Sequence, residues 1–266
     1  MQRWVNRVAM VTGASSGIGA AITYQLLDNG VNVVALARRA EQIEEAVNNA
    51  KHGAKSRGRY QEPSRTPGKL HARACDVTKE DDILAAFKWV KDNLGGADIL
   101  INNAGLGGDS PLTDTKTDVW KHMLDVNVVG LSVCTREAVQ SMRARGVDDG
   151  HVVHICSIVG HALPARSEMA MYGATKHAVR VLAEGLRKDF NASNNKIKIS
   201  CVSPGFVKTG FVDNLPNMKA KAQELYDSTP HLFPEDIADA VLYCIDTPPH
   251  VQIQDIIVKP VGEKYP

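Results

Sequence analysis

Short runs of consecutive or alternating apolar residues, many of them β-branched, recur along the chain, and between them apolar positions return every three or four residues. Runs of the first kind read as strands and stretches of the second as amphipathic helices. The predicted strands are "RVAMVT" (7–12), "VNVVALA" (31–37), "KLHARACDV" (69–77), "ADILINN" (97–103), "HVVHICS" (151–157), "KIKISCVSP" (196–204) and one within "VQIQDIIVKPV" (251–261). Helical patterns fill the intervals: "GIGAAITYQLLDN" (17–29), "AEQIEEAVNNA" (40–50), "KEDDILAAFKWVKDNL" (79–94), a long one from Asp118 to Arg145, another from Ala170 to Ala192, and "PEDIADAVLYCID" (234–246). Regular alternation of strand and helix implies parallel strands joined by crossover helices. The expected fold class is therefore α/β: a doubly wound parallel sheet of about seven strands, helices on both faces, in one domain over residues 1–266.

One interval breaks the rhythm. "KHGAKSRGRYQEPSRTPGK" (51–69) carries six Lys or Arg against one Glu and is rich in Gly, Pro and Ser. It reads as an exposed basic loop, either a solvated charge run or an arm for a phosphate or a partner.

Composition narrows the classes of function. Across 266 residues the formal charge is only +1, which gives no reason to expect nucleic acid and favours a small-molecule substrate. Cys75, Cys134, Cys156, Cys201 and Cys244 are odd in number, widely spaced and free of any CxxC pair, against a disulfide framework or a zinc site. The opening "MQRWVNRVAMVTG" lacks the shape of a signal peptide, and no apolar run approaches the roughly 18 residues of a spanning helix. A soluble, cytoplasmic protein with no membrane span is expected.

Candidate chemistry begins directly after the first strand. "TGASSGIG" places glycines at 13, 17 and 19 where a strand turns into a helix, so that a pyrophosphate could approach the free amides and the positive end of the helix dipole. The spacing is GxxxGxG rather than GxGxxG, but the strand–turn–helix context is that of a dinucleotide site. The second strand ends "VVALARRA": Ala37 stands where an acid would grip the ribose 2′-hydroxyl of NAD, and Arg38 and Arg39 follow. This points to NADP, with Arg38 as the main contact of the 2′-phosphate.

Farther on, "MYGATKHA" (171–178) sets Tyr172 four residues before Lys176, on one face of a helix. Such a pair also occurs on solvated helix faces. In a cleft, however, the ammonium would depress the phenol pKa from about 10 and make it a proton donor and acceptor for an alcohol. Four more segments, "NNAG" (102–105), "DVNVVG" (125–130), "ICSIVG" (155–160) and "SPGFVKT" (203–209), close strands on the carboxyl edge of the sheet or lie in the long helix beside it.

In this order the motifs resemble the short-chain dehydrogenase/reductase family over essentially the whole chain, closest to the branch of insect farnesol dehydrogenases. The resemblance implies a Rossmann-type sheet of strand order 3-2-1-4-5-6-7, a homodimer or homotetramer packed through long helices, and a tetrad of Asn127, Ser157, Tyr172 and Lys176. Tyr172 would move the alcohol proton, Lys176 would tune it and hold the nicotinamide ribose, Ser157 would hydrogen-bond the substrate oxygen, and the Asn127 backbone would hold a water behind Lys176. Cofactor contacts implied in the same way are Gly13, Ser15, Ser16, Gly17 and Gly19 at the phosphates, Ile18 on the nicotinamide side, Arg38 and Arg39 at the 2′-phosphate, and Asp76 and Val77 at the adenine. Asn103, Ala104 and Gly105 would meet the adenosine ribose, with Pro204, Gly205, Val207 and Thr209 at the carboxamide end. His154, Cys156 and His161 lie near Ser157 in sequence but not at metal-ligand spacing, so no metal site is expected.

The chain departs from a plain family member in its long basic loop and in an extended stretch between Ser157 and Tyr172. The substrate wall, read as Val159, Leu163, Phe206, Phe211, Val212 and Leu215, is apolar and suits a prenyl or similar hydrophobic alcohol. The competing readings are a serine-like 3-hydroxy acid, for which Arg166 would have to reach the pocket, a steroid-like ketone, and a non-catalytic dinucleotide sensor.

Overall fold

Strands β1 (Val8–Thr12), β2 (Asn32–Ala37), β4 (Ile99–Asn102), β5 (His151–Ile155) and β6 (Lys198–Pro204) are buried almost throughout, the signature of a sheet covered on both faces. In a computed structural model describing residues 1–59, 66–163, 166–213 and 222–263, with only the backbone at 212 and 213, they join β3 (Leu70–Ala74) and β7 (Asp255–Val258) in one seven-stranded parallel sheet. Its order is β3-β2-β1-β4-β5-β6-β7, as the family resemblance implies.

Because side chains alternate across a strand, each central strand feeds two cores. Ala9, Val11, Val33, Ala35, Ile99 and Ile101 face α1 (Gly17–Asp28), α2 (Ile43–Ser56) and α9 (Pro234–Asp246). Val8, Met10, Val34, Leu36, Leu100 and Val152 face α3 (Glu80–Leu94), α5 (Leu131–Ala144) and α6 (Ala170–Ala192). Each fully buried aliphatic side chain contributes about 1.5–3 kcal/mol, so the sheet is the rigid base from which the strand ends project.

The structure corrects three boundaries. The long helix expected from Asp118 to Arg145 is α4 (Thr117–Leu124), a π-helical turn (Asp125–Gly130) and α5. The third strand occupies only Leu70–Ala74 of the expected 69–77, while the last, Asp255–Val258, lies within 251–261 as expected. The basic loop is shorter than its composition suggests, because α2 runs on to Ser56. Beyond it Arg57 pairs with Glu235 and lies over the Phe233 ring, while Arg59 reaches Asp236 at 2.6 Å and Asp239 at 3.0 Å. The charge run thus docks on the acidic first turn of α9, where a carboxylate also suits the helix dipole. Residues 60–65 of this segment lie outside the described residues. Two shorter helices, α7 (Gly210–Asp213) and α8 (Ala222–Ser228), follow β6. Among the described residues no helix is long and apolar enough to cross a membrane.

Candidate active site

The turn after β1 is built for close approach. Gly13 has φ +67°, and a Cβ there would stand 2.9 Å from Ala104 Cα; one on Gly19 would fall on the Gly13 carbonyl and 2.5 Å from Asn103 Nδ2. Only glycine fits either place. Ser16 caps α1 in extended conformation without a side-chain bond to the helix, which leaves the first amides of α1, beside Ser15 and Gly17, without a side-chain cap. Gly17 lies against Thr209, which brings the loop after β6 over the glycine turn, while Ile18 packs against the first core.

Thr12, at the end of β1, ties this turn to β4. Its Oγ1 accepts the amides of Asn103 and Ala104, each at 3.0 Å, and Asn103 Nδ2 donates back to the carbonyls of Thr12 (2.9 Å) and Gly13 (3.1 Å). The sequence reading passed over Thr12, although a hydroxyl as the last strand residue before a glycine turn is the signal that would have found it.

At the carboxyl end of β2 Arg38 and Arg39 are exposed beyond Ala37, and Arg39 is held by Gln42 at 2.8 Å. Burial works against ionisation of Asp76, but the amide and hydroxyl of Thr78 and the nearby charges of Arg38 and Lys79 more than offset it and lower its pKa. Asp76 and Arg38 therefore share one electrostatic neighbourhood. The Val77 carbonyl lies against Gly130 of the π turn.

That turn places Asn127, which is 1% exposed. Its Oδ1 accepts Leu106 N and its Nδ2 donates to Leu106 O, both at 2.7 Å, with a further bond of 3.0 Å to Thr175 Oγ1. Thr175 in turn donates to the Tyr172 carbonyl at 2.7 Å. The Asn127 side chain is thus a clamp between the loop after β4 and α6, and Thr175 is a second residue that the sequence reading missed. A Cβ on Gly105 would sit 3.6 Å from Asn127 Oδ1 and 3.7 Å from Lys176 Nζ, so these groups bound one small space.

Tyr172 and Lys176 are both buried on α6, with Nζ 5.8 Å from the centre of the phenol ring. The expected depression of the Tyr172 pKa is not what the structure gives. Burial pushes the phenol above its ordinary value, and a hydrogen bond with the Ser157 hydroxyl opposes this only in part. The Lys176 ammonium is engaged by the Ile155 carbonyl at 2.9 Å, and burial lowers its own pKa. Loss of hydration sets the direction for both groups.

The Tyr172 side chain packs with Met123, Val159 and the partly buried Ile158, Met169, Met171 and Phe211. The Phe211 ring is 5.9 Å from that of Tyr172 and covers Gly107. Of the expected wall, Val159 and Phe211 are present. Leu163 is 81% exposed, and Phe206 turns away to stack on Tyr226 at 5.4 Å. Leu215 and the Val212 side chain lie outside the described residues. The methionines were missed because their apolar spacing is that of any buried helix face. Pro204 and Val207 are buried along the path out of β6, and the Gly205 amide is bonded to Val258 O at 2.7 Å.

The residues near Ser157 in sequence diverge in space. His154 is fully buried beside Asn102, 3.2 Å from its Nδ2, and burial brings its pKa down to about 4. His161 meets Ser203 at 2.9 Å, and Cys156 Sγ donates to the Lys176 carbonyl at 3.3 Å. Among the described residues no three His, Cys, Asp or Glu converge as a metal-binding group.

Residues 7–220 match the short chain dehydrogenase family. Over 264 residues, 99% of both chains, the sequence is 45% identical to dehydrogenase/reductase SDR family member 11 of Bos taurus. It is 43% identical to the farnesol dehydrogenase of Aedes aegypti over 266 residues, the full length of both. Among solved structures, a serine dehydrogenase in its closed form with NADP+ superposes with a TM-score of 0.82 at 29% identity, covering 97% of this chain and 96% of that one. A metagenomic short-chain oxidoreductase in complex with NADP superposes with a TM-score of 0.72 at 26% identity, covering 98% and 99%.

Proposed function

The chain belongs to the short-chain dehydrogenase family of oxidoreductases, and within it we propose an NADP-dependent enzyme acting on a hydrophobic, prenyl-like alcohol such as farnesol or on its carbonyl. The observation that carries this reading is the apolar wall of Met123, Val159, Met169, Met171 and Phe211 around a buried Tyr172. Arg166, the cation that a serine-like acid would need, ends instead on Asp109 at 2.7 Å. The similarity to an insect farnesol dehydrogenase supports the same substrate class.

The residues present suit NADP. The glycine turn leaves room that any Cβ would fill, the α1 amides offer donors to the pyrophosphate, and Arg38 with Arg39 follows Ala37 where the 2′-phosphate would lie. Asp76 and Val77 would flank the adenine, Asn103, Ala104 and Gly105 the ribose, and Pro204, Gly205, Val207 and Thr209 the carboxamide. NADP, when bound, supplies the hydride or takes it up.

The chain's own part is the proton. In reduction Tyr172 gives its phenolic proton to the carbonyl oxygen while the carbon receives the hydride pair; in oxidation it takes the proton back. Ser157 donates to the same oxygen and steadies its developing charge. Lys176 and Asn127 hold the floor of the site. We take residues 1–266 as one domain working in a homodimer or homotetramer on a small molecule, without nucleic acid, metal or membrane span, in the cytoplasm.

A paired assay with NADPH and NADH, or their oxidised forms, across farnesol, farnesal, a steroid-like ketone and serine tests the reading. The prenyl pair should exceed serine by at least about 100-fold in kcat/KM; preference for serine would reverse the assignment, and absence of turnover across the panel despite NADPH binding would make the protein a sensor.

The raised pKa of Tyr172 sets a sign for the pH dependence. The phenol stays protonated through neutrality, so carbonyl reduction finds its donor ready and should vary little with this group between pH 6 and 9. Oxidation needs the phenolate of the free enzyme, and kcat/KM should climb by up to about tenfold per pH unit below that raised pKa. A pH profile of oxidation that is flat from 7 to 10 would contradict it.

A further inference from the structure

Behind the catalytic turn, away from the cofactor cleft, lies a polar hub that the reaction as described does not use. We infer that the Asp255 carboxylate, through Arg180 and His161, positions the turn that carries Ser157. The inference rests on the reading of Ser157 given above.

Asp255 opens the edge strand β7. Its Oδ2 is 3.2 Å from Arg180 Nε, and its Oδ1 accepts the Ser203 hydroxyl at 3.2 Å and faces His161 Nε2 at 3.4 Å. Since the Ser203 proton goes to Asp255, His161 Nε2 must donate to Ser203 Oγ, 2.9 Å away. Arg180 sits one helical turn beyond Lys176 on α6 and sends Nη1 to the Gly160 carbonyl at 3.1 Å. Gly160 and His161 end the short turn that Ser157 begins: Ser157 Oγ accepts Val159 N at 3.3 Å, and Gly160 N donates to Ser157 O at 2.9 Å. On its other side Gly160 is pressed against the Lys176 carbonyl and Cys156 Sγ.

One carboxylate thus gathers α6, β6 and the Ser157 turn. A solvent-exposed Arg–Asp pair alone contributes little. Here the pair has a further partner in a main-chain carbonyl three residues from the serine whose hydroxyl meets Tyr172, so slack in the hub moves that oxygen. The hub borders a surface cavity of about 160 Å³ lined also by Glu184, Cys201 and Gln254, and none of the lining residues belongs to the glycine turn or to the arginines after β2.

A double-mutant cycle decides the matter. Arg180→Met and Asp255→Ala should each lower kcat for carbonyl reduction by about tenfold, with the NADPH dissociation constant within about twofold of the parent. In a Ser157→Ala background the same changes should alter kcat by less than about twofold, since there is no hydroxyl left to misplace. Equal losses in both backgrounds overturn the inference and leave the reading of the site intact. If Ser157→Ala alone keeps the parental rate, the reading of Ser157 fails and this inference with it. Should Asp255→Ala fold poorly, the half-exposed Arg180→Met arm carries the same decision.

Discussion

Tyr172→Phe is expected to lower turnover by about 10³-fold or more in either direction, while NADPH binds within a few-fold of the parent. The substitution deletes one oxygen and keeps the ring that packs on Phe211 and Val159. The structural cost is limited to the influence of the Ser157 hydroxyl on the phenol, so the fold persists and the loss reads on chemistry. Without the hydroxyl, hydride transfer would have to generate a bare alkoxide or draw its proton from solvent through a wall of methionines. Steady-state rates with farnesal, set beside a fluorescence titration with NADPH, check both halves. A variant that keeps half its rate would remove Tyr172 from proton transfer.

The second large effect is on the choice of nucleotide. Ala37→Asp together with Arg38→Ala removes a cation from the position of a 2′-phosphate and sets an anion there. Loss of one charge-assisted contact is worth about 1.5–3 kcal/mol, and like-charge repulsion adds to it. The ratio of kcat/KM for NADPH over NADH should therefore fall by at least about 100-fold and pass toward NADH. Arg38 is exposed, but Ala37 is only 6% exposed at the end of β2, so an aspartate there carries a desolvation cost; a thermal unfolding midpoint set beside the parent's separates that cost from cofactor choice, and Arg38→Ala alone carries the test if the double variant folds poorly. An unchanged ratio would move the 2′-phosphate contact elsewhere on the chain.

The fold was legible because its signals are local. Strands buried on both faces read as apolar runs, and α6 and α9 begin and end where their patterns do. The glycine turn and the Tyr172–Lys176 spacing are local as well. Features that escaped depend on partners far away in sequence. The π turn at Asp125–Gly130 keeps the apolar spacing of the helices it joins, so nothing in "DVNVVG" announces it. The basic residues of the 51–69 segment look solvated until the acids of α9, some 180 positions later, are placed beside Arg57 and Arg59. The Tyr172 pKa follows from burial, and burial is set by Met123 and Phe211 from elsewhere in the chain. Charge spacing foretold which groups meet but not how dry they would be.

The division of each central strand between two cores has an evolutionary corollary. Odd-numbered residues of β1 serve one core and even-numbered residues the other, so losing or gaining a single residue there would swap both sets at once, like a frameshift in three dimensions. Insertions should be tolerated only at the tips, beyond the last ladder bond, where no such phase must be kept. Those tips carry the loops around the candidate site, so this architecture lets their sequence change while the phase of the strands beneath is kept.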